Sequence, residues 1–212
     1  MILNEREILE RMLDPDPARR IVVTPLVDPV QQFGPSSLDL RLGTDFRRIR
    51  TSRVTHLDPL KEPDALALDV ARYTEEICVA PGEEFVLHPG EFVLASTLEF
   101  IRLPGDIAAR LEGRSTWGRL GLEIHATAGF VDPGFAGSLT FELKHSGKVP
   151  IPLYAGLRIA QLCFFRLSEP SGLPYTAKRF SKYAGRMGTA GSLYFQDPEY
   201  QALRQRRSRG PG

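Results

Sequence analysis

Downstream of Arg20 the apolar residues of this chain fall into short runs that alternate with polar ones, and proline or glycine closes almost every run. The segments "RIVVTPLV", "SSLDLRLG", "EFVLHPGEFVLAS", "GSLTFELKHSG" and "IPLYAGLRIAQLCFFRL" all carry this pattern. A period of two is that of strands with one face buried. Pro and Gly at such intervals mark hairpins and corners. Many short strands joined this way build a sandwich, a jelly roll or a barrel. The chain is therefore expected to be dominated by β structure. "FVLHPGEFVLAS" and "IPLYAGLRIAQL" share one layout, strand, X-Gly turn, strand, which reads as a weak repeat of one hairpin.

The two ends depart from that pattern. In "NEREILERML" the spacing from Asn4 to Glu7 fits a capping box, and Ile8, Leu9 and Met12 give a short helix its apolar face. Pro15 and Pro17 stop it. Residues 51–78 are polar and irregular, which predicts a loop or insertion within a β domain spanning 1–169. From residue 170 to 212 the chain is rich in Gly, Ser, Lys and Arg with interleaved Tyr and Phe, which suits a mobile arm. Its basic tail, with Arg204, Arg206, Arg207 and Arg209, reads as solvated and disordered.

Composition removes several classes of function. A formal net charge of +1 gives no general electrostatic pull toward nucleic acid or a membrane surface. "MILNEREILERML" has charges throughout and no apolar stretch of signal-peptide type, and no run approaches a membrane span, so a cytoplasmic home is expected. The two cysteines, Cys78 and Cys163, lie in apolar contexts and read as buried thiols rather than a disulfide. There is no G-x-x-x-x-G-K-[ST] phosphate loop. None of His56, His88, His125 and His145 begins an H-x-E motif, and no P-C-x-x-C accompanies them. A zinc-dependent nucleobase deaminase would lack its ligands, so no metal site is expected.

Chemistry concentrates in "EGRSTWGRLGLEIHATAGFVDPGFAGSLTFEL". Arg114, Ser115, Thr116 and Arg119, beside Gly113 and Gly118, offer guanidinium forks, hydroxyls and backbone N–H groups suited to phosphate oxygens. A polar turn with surface arginines would look the same. In "SLTFELK" alternation puts Leu139, Phe141 and Leu143 on one face and Ser138, Thr140, Glu142 and Lys144 on the other. Glu142 could work chemically there, or simply be a solvated partner of Lys144. Asp132 in "VDPGF" could bind a ligand or only start a turn. His125 reads as a core or supporting residue.

Taken together these motifs resemble the dCTP deaminase and dUTPase superfamily. "GRSTWGRLGL" is similar to its phosphate motif, "GFVDPGFAG" to the turn shared with trimeric dUTPases, and "SLTFEL" to the strand bearing the deaminase glutamate. "GLRIAQLCF" resembles the following glutamine strand, while "GPSSLDLRLG" and "SKYAGRMG" resemble the terminal motifs. The resemblance implies a distorted jelly roll of the dUTPase-like type, assembled as a homotrimer with active sites between subunits. It implies deamination of dCTP by Glu142 as general acid/base, with Arg114, Ser115, Thr116, Trp117, Gly118 and Arg119 around phosphates and attacking water. Of these, Ser115 and Arg119 would share the catalytic work. Asp132 would hold the deoxyribose hydroxyl and Phe135 would pack on the sugar. Thr140, Phe141, Gln161, Tyr175, Lys182 and Arg186 would complete the nucleotide contacts. Mg²⁺ would ride on the triphosphate of dCTP or dUTP, and dTTP is a candidate inhibitor.

Members that stop at dUTP tend to carry a bulky basic pair after "TA". Ala128 and Gly129 instead resemble the form that continues to dUMP and diphosphate, where a small residue leaves room for a second water. Departures are visible at Thr116 and Trp117, where serine and leucine are usual, and at Arg186, where glutamine is usual. A dUTPase acting on dUTP alone is disfavoured by Glu142, and a nucleotide-binding β trimer without catalysis is the reading furthest from these motifs.

Overall fold

The computed structural model describes residues 1–50, 54–58, 60–177, 182, 185, 187–189, 191–193 and 196–208. Helix α1 (Glu5–Met12) opens the chain with the expected capping box. The Asn4 carboxamide oxygen accepts from the Glu7 N–H at 2.9 Å, and the Asn4 N–H donates to the Glu7 carboxylate at 3.1 Å. Its buried stripe differs from the expected one. Ile8 is buried but Leu9 is exposed, and Arg11 takes the inward position. That arginine is satisfied by a bidentate pair with Asp106, at 2.8 and 2.7 Å, and by the Arg19 carbonyl.

Strand β1 (Val22–Thr24) and the short helix α2 (Pro29–Gln32) lead into the long β2 (Leu38–Ile49). The region expected to be loop or insertion contains regular structure: helix α3 (Pro63–Tyr73) followed by strand β3 (Thr74–Cys78). Then come β4 (Glu84–Leu87), β5 (Phe92–Arg102), β6 (Ile107–Gly113), the single turn α4 (Ser115–Gly118) and β7 (Leu122–Glu123). They are followed by β8 (Phe130–Val131), β9 (Ala136–His145), β10 (Ile151–Tyr154) and β11 (Arg158–Arg166). Of the basic tail, expected to be disordered, Arg204, Arg206 and Arg207 lie in helix α5 (Pro198–Ser208), and Arg209 falls outside the described residues.

The strands form a curled antiparallel sheet in the order β7-β9-β5-β2-β11-β6-β8, with β1 added on β5 and β3 on β2, while β10 and β4 pair in a small separate sheet. This is the β-dominated, distorted jelly-roll architecture the sequence led us to expect. The two similar segments are not hairpins. β4 pairs with β10, in the register Leu87 to Ile151, and their continuations β5 and β11 both flank β2. Each Pro-Gly or Ala-Gly turn thus carries the chain around a corner from one sheet to the other. The core lies inside the curl and includes Leu38, Leu40, Leu42, Phe46, Phe141, Leu143, Leu162 and Phe164. Neither cysteine belongs to it: Cys78 is exposed and Cys163 half-buried.

Candidate active site

Strand β9 alternates as read from its sequence. Leu139, Phe141 and Leu143 are buried, and Ser138, Thr140 and Glu142 lie half-exposed on the opposite face. That face looks into a cavity of about 540 Å³. Glu142 and Thr140 line it from β9, Asp132 and Phe135 from the turn before β9, Ala128 from the preceding loop, and Tyr175 from the start of the arm.

Local bonds fix these positions. The Glu142 carboxylate accepts from the backbone N–H of Ala126 at 2.9 Å and, more weakly, of Thr127 at 3.4 Å. It therefore braces the loop that leads to Ala128. The turn at Asp132 closes through the Phe135 N–H onto the Asp132 carbonyl at 3.2 Å. Gly134 has φ +79°, and a Cβ there would stand 2.6 Å from the Cβ of Pro174. Only glycine permits both the left-handed backbone and that approach. The approach matters because the Tyr175 N–H donates to the Pro133 carbonyl at 2.7 Å, and the Phe135 and Tyr175 rings stand 5.7 Å apart. The turn thus holds the arm at Pro174 and Tyr175.

Other expected residues lie elsewhere. Phe141 is fully buried in the core, facing away from Glu142, so its side chain does not reach the cavity. Gly129 is buried, and a Cβ on it would come within 3.0 Å of His125 Nε2 and of the Leu111 carbonyl, so its smallness serves packing rather than open space. His125 is half-buried against this glycine, consistent with its reading as a supporting residue. Lys182 pairs with Asp197 at 2.8 Å within the arm. Arg186 falls outside the described residues.

Residues 114–119 do not line the cavity. They form α4 and its flanks after β6, where Ser115, Thr116, Gly118 and Arg119 are exposed. Arg114 donates from Nη1 to the Arg158 carbonyl at 3.0 Å, and its Nε lies 3.2 Å from Asp39. The Trp117 indole N–H donates to the same Arg158 carbonyl at 3.0 Å. Gln161 belongs to this neighbourhood, opposite Asp39 in the β2–β11 register, and accepts from the Ser37 hydroxyl at 3.1 Å. One copy of the chain therefore presents two groups, a carboxylate cavity and a hydroxyl-guanidinium turn.

Sequence reasoning missed part of the cavity wall. Val70 and Tyr73 of α3 and Arg47 of β2 line it. The signal was present as Leu66, Val70 and Tyr73 at helical spacing behind Pro63, but the polar residues among them hid it. A buried carboxylate was missed too. Glu99 is fully buried and accepts from the Arg41 N–H at 2.9 Å and from the Gln32 amide at 3.1 Å. Loss of hydration outweighs these donors and pushes its carboxyl up to about 7.

Comparison with known proteins shows what the chain is similar to. The family model described as dCTP deaminase-like matches residues 2–167. The chain is 47% identical over 198 residues to a protein of Mycobacterium sp. (strain KMS) named "dCTP deaminase, dUMP-forming", covering 93% of this chain and 97% of that one. It is 41% identical over 192 residues to the protein of the same name from Dictyoglomus turgidum, covering 91% and 94%. Among solved structures, 2′-deoxycytidine 5′-triphosphate deaminase from Agrobacterium tumefaciens superposes with a TM-score of 0.56 at 26% identity. That match covers 77% of this chain and 47% of the other, so this chain spans about half that protein's length. With a family model matched over residues 2–167 and relatives 41–47% identical over nearly its whole length, the chain belongs to the dCTP deaminase-like family.

Proposed function

We propose that this chain hydrolyses dCTP in two steps, first to dUTP and ammonia, then to dUMP and diphosphate. The observation that carries the reading is Glu142, half-buried at the cavity wall and held by the Ala126 N–H beside Asp132, Phe135 and Tyr175. In the first step the Glu142 carboxylate takes a proton from water. The hydroxide attacks C4 of cytosine and the ring nitrogen receives the proton; the new C4 hydroxyl then gives its proton, by way of Glu142, to the amino group, so that the C4 carbonyl forms as ammonia leaves. Asp132 accepts from the deoxyribose 3′-hydroxyl, and Phe135 closes the space a 2′-hydroxyl would need.

Phosphates fall to Arg114, Ser115, Thr116 and Arg119, with Trp117 and Gly118 shaping the turn. Their separation from the cavity, with exposed Leu120 and Phe130 beside the two groups, supports a homotrimer in which one copy's turn completes another's cavity. Gln161, Lys182 and Arg186 serve the nucleotide in that closed assembly. Mg²⁺ enters on the triphosphate and shields its charge. Among the described residues no cluster of three His, Cys, Asp or Glu side chains is placed to hold a metal. Ala128, at the cavity wall, leaves room for the water that attacks the α-phosphate, in keeping with relatives named as dUMP-forming. The reading places the enzyme in the cytoplasm, where its nucleotides are; no described helix is long and apolar enough to cross a membrane.

A time course of ammonia, dUTP, dUMP and diphosphate from purified protein with dCTP and Mg²⁺ tests this. Ammonia, dUMP and diphosphate should rise together. Accumulating dUTP would remove the second step, and absence of ammonia would remove the first.

A further inference from the structure

Arg114 is held in a way that calls for an explanation, because two arginines stand side by side. The Asp39 carboxylate oxygen Oδ2 lies 3.2 Å from Arg114 Nε and 3.3 Å from Arg158 Nη1. Arg158 is fixed at its far end too, where its Nη2 donates to the Gln31 side chain at 2.8 Å and its Nη1 to the Gln31 carbonyl. Its own carbonyl then accepts from Arg114 Nη1 and from the Trp117 indole, both at 3.0 Å. Asp39 is itself seated firmly: it is on β2, its side chain is only 12% exposed, and its carbonyl accepts from Gln32 at 3.0 Å.

A guanidinium has five N–H donors in a rigid plane. Here Nε lies within ion-pair distance of Asp39 and one Nη1 hydrogen is spent on the Arg158 carbonyl. Among the described residues no bond is made by Nη2, so one edge of the fork stays available for an anion. A half-buried arginine beside a second arginine would ordinarily turn outward to escape like charge. One shared carboxylate offsets that repulsion, and the bond from Arg114 Nη1 to the Arg158 carbonyl helps to set the plane.

We infer that Asp39 is a positioning residue that aims Arg114 at the substrate triphosphate, an inference that rests on Arg114 holding phosphate as proposed above. Asp39 touches no substrate. It acts by placing one negative charge between Arg114 and Arg158, which offsets their repulsion and holds the free Nη2 edge in place. Burial raises the Asp39 carboxyl above its ordinary value, while Arg114, Arg158 and Arg41 around it pull it down.

The test measures KM and kcat for ammonia release from dCTP in Asp39→Asn, Asp39→Glu, Arg114→Gln and the double variant Asp39→Asn/Arg114→Gln, with thermal unfolding of each. A charge-assisted contact is involved, so Asp39→Asn should raise KM roughly 10-fold while kcat changes little. Asp39→Glu, which keeps the charge, should recover part of that loss. The double variant should be no worse than Arg114→Gln alone, since both act through one guanidinium. If Arg114→Gln raises KM but Asp39→Asn does not, the positioning role is overturned and the phosphate role of Arg114 stands. If Arg114→Gln leaves KM unchanged, the phosphate role falls and the inference with it. Additive losses in the double variant, or a fall in kcat that tracks lost thermal stability, would show Asp39 to be only a part of the scaffold. Should Asp39→Asn fail to fold, Asp39→Glu decides alone: its KM must rise if the carboxylate's placement aims Arg114, and an unchanged KM overturns the proposal.

Discussion

The carboxylate of Glu142 and the backbone N–H of Ala126 are joined at 2.9 Å, so the group proposed to move protons also braces the loop that carries Ala128. Chemistry and loop position are coupled through one side chain. Glu142→Gln separates them, because the amide oxygen can still accept from Ala126 while the group can no longer take a proton from water. Ammonia release should fall roughly 10²–10⁴-fold with the thermal unfolding midpoint little changed. Ammonia release at the wild-type rate would remove Glu142 from the reaction.

Ala128 faces the cavity, whereas Gly129 faces the His125 ring and the Leu111 carbonyl. The two small residues therefore have different reasons to be small. Ala128→His should fill the space assigned to the second water, so that dUTP accumulates while ammonia continues to form. Gly129→Ala should act mainly on stability, at about 1 kcal/mol, through its tight contacts. Nucleotide analysis with thermal melts distinguishes the two, and dUMP formation unaffected by Ala128→His would refute the role given to that wall.

Gly134 joins the Asp132 turn to the arm. Gly134→Ala forces a side chain into a left-handed backbone and against Pro174, and should cost roughly 1–2 kcal/mol. Because Tyr175 hangs from the same turn, KM for dCTP should rise as well. A melt shift with no change in KM would show that Tyr175 does not serve the nucleotide.

Glu99 predicts a pH dependence with a definite sign. Its carboxyl is raised from an ordinary 4.5 to about 7 in the folded protein. Between those values the native state binds the proton and the unfolded chain has released it, so this residue's contribution to stability is full below about 4.5 and is lost as pH rises through about 7. The full loss is on the order of 3 kcal/mol. Comparing unfolding of the wild type with Glu99→Gln from pH 5 to pH 8 isolates it, since other titrations cancel. Parallel curves would contradict the assignment.

What could be read from the sequence was what short-range physics decides. Asn4 and Glu7 lie within one turn, and their capping box formed as expected. Alternation along β9 placed Glu142 on the face away from the core, and the same alternation placed the Phe141 side chain in the core. The partner of β4 was not legible: hairpin geometry favoured β5, but the corner at Pro89-Gly90 turns the chain away, and β10 supplies the pairing from a distant part of the sequence. Helix α3 was hidden because its stripe of Leu66, Val70 and Tyr73 is diluted by Asp64, Asp69 and Arg72. The link from Asp39 to Arg114 was invisible for a similar reason, since it crosses from β2 to the end of β6 through a residue of β11.

The small sheet of β4 and β10 has a consequence for the order of assembly. Its two strands reach each other only after β5 and β11 have taken their places on either side of β2, for each corner leads directly into one of those strands. Closing so long a loop is entropically costly until the larger sheet exists to offset it. The pair is therefore expected to close late in folding, as a latch that the rest of the molecule first brings into register.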